Sequence, residues 1–544
     1  MRKQSARVPV LALFLIMGAL QAAPQAVSFL QSAQSIDAYD FVEVSVQVTQ
    51  PDVKNPFTDV SVRGTFGKRG SQRLSVEGFC DSADGTIFRV RFMPTTSGEY
   101  AYSIVYRQAE FEQLHDGSFR VGDGGRRGLL RVDPKFRWHF LWEGTGEHYF
   151  WNGTTAFLLA GWRDDEVINR SLDRFKRLKV NRVRVMLAAR STTFWGEPIT
   201  ATAEFNPHLN PWIGERPNDE WNPGFDYGRF NVPYWQKFER MVRFARDHDV
   251  IISVIFDWND SKVHPAAGSD DERRYLRYGV NRLSAYSNIT WDLGDDLDAF
   301  RDDAWTHEMG VLVKTWDTYK HLATSHPGDN VHQDRKSEWF DFTSFQEWRR
   351  PIHGWMVGQR KKQESLGRVI PQTNEEYGYE DHYPRWSPVY PDGASADANR
   401  RAAWEIAMAG GYQTTGETAK RGTGVWPDTG GGWVNGRGDD SMVLLNGQAH
   451  MVDFFTGFEW WKTETHDDLV DNGAYCLAEP GKLYAAYLPF GGSVSIKLEP
   501  GRYDASWFNA RSGRQISLTP AEGPRWNSPV TPDHGDWALV LKRM

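Results

Sequence analysis

The stretch that decides the fold is YWQKFERMVRFARDHDVIISVIFDW, residues 234–258. Its first part places Phe238, Met241, Val242 and Ala245 at the spacing of one helix face, and its last part is an apolar run of strand length. A helix that leads into a strand apolar on both faces is typical of a parallel sheet covered by helices. The stretch therefore predicts an α/β fold.

The same alternation of strand-like and helix-like segments continues on both sides of this stretch. Eight strand-like runs can be counted between Tyr149 and Trp461, and eight is the number that a closed (β/α)8 TIM barrel requires. The predicted strands are AFLLAGW (156–162), RVRVMLA (182–188), VIISVIFDW (250–258), NITWDLG (288–294), HLATS (321–325), WFDFTSF (339–345), RVIPQT (368–373) and GYQTTG (411–416).

Short alternating segments flank this region. VEVSVQV (42–48), DVSVRGTF (59–66), TIFRVRFMP (86–94) and EYAYSIVYR (99–107) have the period of two that favours an N-terminal β-sandwich. KLYAAYLP (482–489) and DWALVLK (536–542) favour a second, C-terminal one. We expect a signal peptide in residues 1–26, a β-sandwich in 27–125, the barrel in 126–465 and a small β-sandwich domain in 466–544.

The first residues are typical of an exported bacterial protein. Arg2, Lys3 and Arg7 precede an apolar run over residues 8–20, and small residues follow around Ala22. The run is shorter than the roughly 20 residues that cross a bilayer, and no later stretch is long and apolar enough to do so. We expect no membrane span, and a mature protein in the periplasm or the medium.

The amino-acid composition limits the classes of ligand that the protein is expected to bind. The net charge of −8 is spread over interspersed acids and bases, which disfavours nucleic acid. The 24 Trp, 20 Tyr and 31 Phe raise the expectation of a carbohydrate substrate, because aromatic faces stack on sugar rings. With only Cys80 and Cys476 the chain has no disulfide framework. His and Cys form no closely spaced ligand set, so no metal and no cofactor are predicted.

Pairs of acids stand at two predicted strand ends. Asp295 and Asp296 follow strand four, and Glu375 and Glu376 follow strand seven. Reactive groups of (β/α)8 barrels lie at the carboxyl ends of the strands, and glycoside hydrolysis needs two carboxyl groups, one as acid and one as nucleophile or base. A solvated acidic run is the alternative for the first pair. Capping of a helix explains the later Asp302 and Asp303 better.

Other polar residues near strand ends are predicted to contact a sugar. Arg184 in strand two is in a position to keep a nucleophilic carboxylate ionised, or else to bond loop carbonyls. The acids that close strand three have an Asx turn as their alternative. The predicted substrate-binding residues are Arg184, Asp257, Trp258, Asn259, Asp260, Gln346, Asn374, Tyr377 and His382.

The motifs around these acids resemble a known family. NITWDLGDD and PQTNEEYGYE are similar to the strand-four and strand-seven motifs of apiosidase-like glycoside hydrolases, relatives of the clan A barrels. WFDFTSFQ and RRAAWEIAMAGGYQTTG also resemble segments of that family. The resemblance implies Asp296 as acid/base and Glu376 as nucleophile of a retaining enzyme. Because acids occupy both positions of each pair, Asp295 and Glu375 stay open as alternatives.

The resemblance extends to both flanks. NPFTDVSVRGTF and GTIFRVRFMPTTSGEYAYSI resemble the immunoglobulin-like domain of unknown function that precedes such barrels. LAEPGKLYAAYLPFGGSVSIKLEPGRYDASWFNARSG is similar to a C-terminal domain that carries a collagen-binding label and accompanies many sugar hydrolases. An inverting hydrolase, a polysaccharide lyase and a catalytically silent carbohydrate-binding protein are the alternatives to a retaining glycosidase.

Overall fold

A computed structural model describes residues 23–68, 70–189, 201–214, 224–258, 264–381, 394–419 and 431–544, together with the backbone of the short strands Thr193–Phe194 and Glu197–Pro198. Within these ranges no helix has the length and apolar character needed to cross a bilayer.

The N-terminal part consists of two sheets that share an apolar core, and their strand pairs are antiparallel except for one parallel pair, Ser35–Asp37 with Phe111–Gly122. Val44, Val90 and Ile104 are fully buried in this core, and the alternating burial along Val42–Thr49 explains the period of two in its sequence. The four strands predicted here are confirmed. One sheet contains Ala26–Gln31, Val42–Thr49, Ile87–Phe92 and Phe79–Cys80, and the other Ser35–Asp37, Phe111–Gly122, Gly98–Gln108, Val60–Lys68 and Leu74–Glu77.

The central part is a parallel sheet of seven strands, a TIM-like half-barrel, wrapped by helices. Every pairing between its strands is parallel. In sheet order the strands are Ala323–His326, Ile289–Asp295, Ile251–Trp258, Arg182–Met186, Asn152–Thr155, Tyr412–Thr415 and Thr373–Asn374. The helices are Asp165–Arg177, Val232–Asp247, Asp270–Leu283, Asp303–Trp316, His353–Ser365, Ala396–Met408, Gly432–Asn435 and Leu444–Thr456.

The helices begin and pack as the sequence pattern predicts. Phe238, Met241 and Val242 of Val232–Asp247 are buried against the sheet. Asp302 accepts a hydrogen bond from the backbone N–H of Trp305, 2.8 Å away, and so caps Asp303–Trp316. The interpretation of this later acid as a helix cap is confirmed.

The predicted strand at 339–345 is irregular. Its backbone N–H groups at Asp341 and Phe345 donate to the carbonyls of Ala323 and Thr373 at 2.9 and 3.0 Å, so the segment lies between two strands of the sheet. Thr343 and Thr373 bond to each other's backbone through their hydroxyl groups. These side-chain bonds replace part of a regular ladder, and Pro371 in the neighbouring segment has no N–H to donate.

The predicted strand at 156–162 is wrong. The strand is Asn152–Thr155, and the apolar residues after it turn into the short 3-10 helix Leu159–Gly161, all of them buried. A short apolar run does not distinguish a buried strand from a buried turn of helix.

The C-terminal part is a further antiparallel sheet with a short two-stranded companion. Its core includes Trp507 and Leu539, and Cys476 there and Cys80 in the N-terminal part are both free thiols. The large sheet contains Glu464–Thr465, Tyr475–Glu479, Leu483–Leu488, Trp537–Arg543, Arg502–Asn509, Gln515–Ser517 and Ala521–Glu522, and the small one Ser495–Lys497 and Arg525–Asn527. A small sheet of Leu130–Val132, Phe140–Trp142 and His148–Tyr149 follows the N-terminal part in the chain, and the pair Trp212–Ile213 and Asp226–Phe230 lies within the central part, before the helix Val232–Asp247.

A buried ionic network joins the N-terminal sheet to the half-barrel. Arg91 donates to Glu239 of the helix Val232–Asp247 at 2.8 Å, and Arg282 lies 2.9 Å from the same carboxylate. Arg282 also reaches Asp81 of the N-terminal part at 2.8 Å. Because these side chains are almost completely buried, the contact depends on every charge being paired.

Candidate active site

The carboxyl ends of the parallel strands bring together acids from both predicted pairs. Asp295 ends the strand Ile289–Asp295, and Glu375 and Glu376 follow directly on Thr373–Asn374. The register with the neighbouring strand shifts between Asp292 and Asp295, an irregularity that redirects side chains. Asp295 is 3 % exposed, and one of its oxygens lies within 4.8 Å of an oxygen of Glu376.

Arg184 is the cation shared by these acids. Its guanidinium donates a hydrogen bond to Asp295 Oδ1, and its Nη1 lies 3.7 Å from Glu376 Oε2. The side chain is completely buried, so little solvent screens its attraction for the carboxylates. Arg184 therefore stabilises the negative charges of carboxylates at the ends of both strands.

The structure separates the two members of the Glu375 and Glu376 pair. Glu375 is fully buried and accepts hydrogen bonds from Arg182, from Ser344 at 2.9 Å and from Thr414 at 3.3 Å. Burial opposes its ionisation, but the charges of Arg182 and Arg184 outweigh burial and lower its pKa. Both oxygens of Glu375 are thus committed to the protein interior.

Glu376 has a different set of partners. Tyr379 donates its hydroxyl hydrogen to Oε2 at 2.8 Å, and Gln346 donates from Nε2 to Oε1 at 2.9 Å. Burial opposes ionisation here too, but the imidazole of His326 and the charge of Arg184 outweigh it and lower the pKa of Glu376. An ionised carboxylate held in a fixed orientation is the state that a nucleophile needs.

His326, at the end of Ala323–His326, lies between the two acids. Its Nε2 is 3.5 Å from Glu376 Oε2 and 3.8 Å from Asp295 Oδ1, and its Nδ1 is 2.9 Å from Ser344 Oγ. Ser344 gives its one hydroxyl hydrogen to Glu375, so Nδ1 must carry the hydrogen of the bond to Ser344. A lone pair on Nε2 would face two carboxylates, which favours the imidazolium.

The pKa of His326 agrees with this assignment. Burial and Arg184 lower the pKa, but the carboxylates of Asp295 and Glu376 raise it more, to about 9. Burial also raises the pKa of Asp295 against the opposing charges of Arg184 and His326, and the Glu376 charge adds to the rise. The site is therefore a buried cluster in which Arg182, Arg184 and His326 face the carboxyl groups of Asp295, Glu375 and Glu376.

Asp296 stands at the outer edge of this cluster. It is only partly buried and adopts a left-handed backbone conformation with φ 49°, which is uncommon for residues other than glycine. A Cβ added to Gly328 would lie 3.1 Å from Asp296 Oδ1 and 3.3 Å from Gln346 Oε1. Asp296 and Gln346 thus meet over the same glycine, and Gln346 bonds to Glu376.

The other predicted sugar-binding residues are distributed unevenly. Gln346 belongs to the acid cluster. Asn374 and Tyr377 are fully buried, and Asn374 bonds to the carbonyl of Glu347 while Tyr377 bonds to Gln413. Asp257 and Trp258 close the strand Ile251–Trp258. Asn259, Asp260 and His382 lie outside the described residues.

Comparison with known proteins identifies the family of the chain. The family model of the apiosidase-like catalytic domain matches residues 137–417, just over half of the chain. The chain belongs to the apiosidase-like family. A domain of unknown function, DUF5060, matches residues 35–107. This apiosidase-like chain is accordingly a glycosidase, and no curated protein matches it.

Solved structures share the fold of this apiosidase-like protein. A protein of Bacteroides vulgatus described as a candidate glycoside hydrolase matches 94 % of this chain and 100 % of its own, with a TM-score of 0.77 and 19 % identity. A glycoside hydrolase family 5 protein of Bacteroides vulgatus covers 77 % of this chain and 93 % of its own, with a TM-score of 0.60 and 16 % identity. At this identity the likeness concerns the fold alone.

The apiosidase-like site has one set of side chains with the spacing of metal ligands. Ligand atoms of Asp295, His326 and Glu376 all lie within 4.8 Å of one another. A metal ligand must offer a lone pair, and an imidazolium that uses Nδ1 on Ser344 and keeps Nε2 protonated offers none. Because Arg184 already bonds to Asp295, we assign no metal to this set.

Sequence reasoning missed four residues of the apiosidase-like site. His326 follows the predicted strand HLATS by one residue, and position directly past a barrel strand was the signal that could have found it. Tyr379 lies three residues after Glu376 within the motif already identified. Arg182 and Ser344 gave no signal, because a polar residue within a buried segment of the half-barrel looks like any other in the sequence.

Proposed function

We propose that this apiosidase-like protein hydrolyses O-glycosidic bonds of a polysaccharide or oligosaccharide by a retaining mechanism. Glu376 is the nucleophile and Asp296 the general acid, then the general base. The observation that carries the proposal is the environment of Glu376. It is an ionised carboxylate at the carboxyl end of a barrel strand, oriented by Tyr379 and Gln346 and faced by Arg184 and His326.

A nucleophile must attack the anomeric carbon from a fixed position and then leave as a stable carboxylate. The hydrogen bonds to Glu376 fix its position for the attack, and the nearby cations stabilise the carboxylate when it leaves. Glu375 is a poorer candidate, because Arg182, Ser344 and Thr414 already occupy its oxygens inside the barrel.

The acid must reach the leaving oxygen of the substrate. Asp296 is partly exposed beside Gln346, whereas Asp295 is buried and bonded to Arg184. The raised pKa of Asp295 does not single it out, because burial raises the pKa of Asp292 to about 7 as well. We therefore give Asp295 the role of fixing Arg184, and Asp296 the role of proton donor.

The proposal includes the architecture expected from the sequence. The bonds of 341–345 to its neighbours support closure of an eight-stranded (β/α)8 barrel. Separate apolar cores support an immunoglobulin-like sandwich within residues 27–125 and a C-terminal β-sandwich within 466–544. We further propose that the protein is exported, in agreement with the signal-peptide pattern of residues 1–26.

The experiment is a screen of the purified protein against plant, algal and microbial polysaccharides, followed by proton NMR of the first product. Release of a sugar with the configuration of the substrate supports retention. Inverted configuration would refute the double displacement, and an unsaturated product would indicate a lyase. No cleavage by a folded protein across the panel would refute the activity itself.

A further inference from the structure

Asp257 is a buried acid that has no side-chain hydrogen bond within the described part of the chain. It lies next to last in the strand Ile251–Trp258, at the end where the catalytic acids lie, and is 1 % exposed. Neither of its carboxylate oxygens has a hydrogen-bond partner among the described residues. A buried carboxyl group without partners is strongly unfavourable for folding. We therefore expect Asp257 to have a role other than stabilising the fold.

Nearby charges do not compensate for this burial. Arg301 is a cation whose charge acts on Asp257, but it is bonded to Glu272 at 2.7 Å and to the carbonyl of Pro265 at 3.0 Å. Burial has the largest effect and raises the pKa of Asp257 to about 7, while Arg301 lowers it and Glu272 raises it. Arg301 is thus bonded to other groups, and no ion pair of Asp257 occurs among the described residues.

An unused hydrogen-bond donor lies in the same neighbourhood. The indole Nε1 of Trp212 is buried and has no partner among the described residues. The Trp212 ring packs against Tyr275 with centroids 4.6 Å apart, and Tyr275 donates its hydroxyl hydrogen to the carbonyl of Phe256, the residue before Asp257. Tyr227 meets the Trp212 ring edge-on at 4.9 Å.

Asp257 also influences this aromatic group electrostatically. Burial, and secondarily the charge of Asp257, raises the pKa of Tyr227 to about 12 and of Tyr275 further. Tyr227 is only partly buried, so the group extends from the strand end toward the surface. It combines aromatic faces with the Asp257 acceptors and the Trp212 donor, which have no hydrogen-bond partner in the described ranges.

Buried acids with a structural role look different in this protein. Asp317 accepts hydrogen bonds from Trp291 Nε1 at 2.9 Å and from the backbone N–H groups of Tyr319 and His321 at 2.9 and 2.8 Å. Despite its burial, His321 and these bonds lower the pKa of Asp317. Asp257 departs from this pattern at the barrel end where ligands bind.

We propose that Asp257 and Trp212 form a subsite for a polyhydroxylated sugar ring of the substrate. One sugar hydroxyl donates to the Asp257 carboxylate, another accepts the indole hydrogen of Trp212, and Tyr227 flanks the ring. The inference rests on the proposed function and adds to it a specificity-determining pair outside the acid cluster.

The test measures affinity without turnover. The probe is the shortest oligosaccharide that the wild-type enzyme cleaves in the polysaccharide screen, titrated calorimetrically into the Glu376→Gln variant with and without Asp257→Asn. We expect Asp257→Asn to weaken binding at least about tenfold, because a charge-assisted hydrogen bond is lost. We also expect a melting temperature no lower than that of the parent, because an unpaired buried charge is removed.

Asp317→Asn is the matched control. It should lower the melting temperature by several degrees and leave affinity unchanged, since a satisfied structural acid is removed. Unchanged affinity of the Asp257→Asn variant, or a melting temperature as low as that of Asp317→Asn, would overturn the subsite. Failure of the wild type to cleave any glycan would instead refute the proposed function, so the two failures are distinct.

Discussion

The imidazole Nε2 of His326 lies 3.5 Å from Oε2 of Glu376, with both side chains buried at the ends of their strands. The other ring nitrogen is tied through Ser344 to Glu375. One histidine thereby links the two neighbouring glutamates, but it faces Glu376 directly and reaches Glu375 only through Ser344. This asymmetry distinguishes Glu376 from Glu375.

Replacing His326 should change the acid limb of the activity profile. With His326→Asn, the pKa of Glu376 should rise, because an opposite charge close to it is lost. Glu376 must be ionised to attack, so kcat/KM should begin to fall at a higher pH than in the wild type. The measurement is kcat/KM against pH with an activated aryl glycoside of the sugar identified by the screen.

His321→Asn is the control for this experiment. His321 is buried as well, but it bonds to Asp317 and to the carbonyl of Tyr286, away from the acids. Its loss should lower stability and leave the acid limb in place. Equal acid limbs in the His326→Asn variant and the wild type would remove His326 from the site.

The interface network makes a separate prediction about stability. Although Glu239 is buried, the charges of Arg91 and Arg282 lower its pKa to about 2, from 4.5. The contribution of ionised Glu239 to the stability of the folded protein is therefore fully present above pH 4.5, and it is lost as the pH falls through about 2. Glu239→Gln should lower the free energy of unfolding at pH 7 by about 3 kcal/mol, because Arg91 and Arg282 each lose one of their two carboxylate partners in a buried network.

Melting temperatures between pH 7 and 2 measure this effect. The Glu239→Gln variant should lose less stability between pH 4.5 and 2 than the wild type does. Asp165→Asn, which removes an exposed pair with Arg240, should change little. A Glu239→Gln variant as stable as Asp165→Asn at pH 7 would show that the network does not stabilise this interface.

Replacing Asp295 and replacing Asp296 should have different effects on activity. Asp296→Ala should spare the first step with good leaving groups, which need no proton, and added azide should give a glycosyl azide of retained configuration. Asp295→Ala should impair all substrates alike, because Arg184 loses its partner. Product analysis with activated and natural substrates checks both. If Asp295→Ala shows the first pattern and Asp296→Ala is active, the roles are exchanged.

Export is testable at the N-terminus. Cleavage near Ala22 would leave intact the strand Ala26–Gln31, which pairs with Val42–Thr49. Mass spectrometry of the protein from the periplasm or medium should find a mature chain that begins close to residue 23. Deleting residues 1–22 should retain the folded protein in the cytoplasm. Exported protein that keeps Met1 would contradict the prediction.

The sequence predicted strands best where the apolar pattern was long. VIISVIFDW and NITWDLG became Ile251–Trp258 and Ile289–Asp295, because runs that are buried on both faces have few alternatives. The segment 339–345 deviated because threonine hydroxyls replaced ladder bonds. Those bonds depend on a partner some thirty residues away, which no local pattern contains.

The site residues also divide into those that a local sequence pattern predicts and those that depend on distant segments. The acid pairs could be identified because two charged residues directly after an apolar strand are conspicuous. The difference between Glu375 and Glu376 could not, since it depends on Arg182, Ser344 and His326 from three other segments. Adjacent residues of one chain acquire different environments only when those segments meet.

Azide rescue of the Glu376→Ala variant tests the nucleophile most directly. The variant should lose nearly all activity on an activated aryl glycoside, and azide should restore turnover by occupying the vacated volume and attacking the anomeric carbon. We predict a glycosyl azide whose configuration is inverted relative to the substrate. Full activity of Glu376→Ala without azide, or rescue that occurs in Glu375→Ala and not in Glu376→Ala, would contradict the assignment.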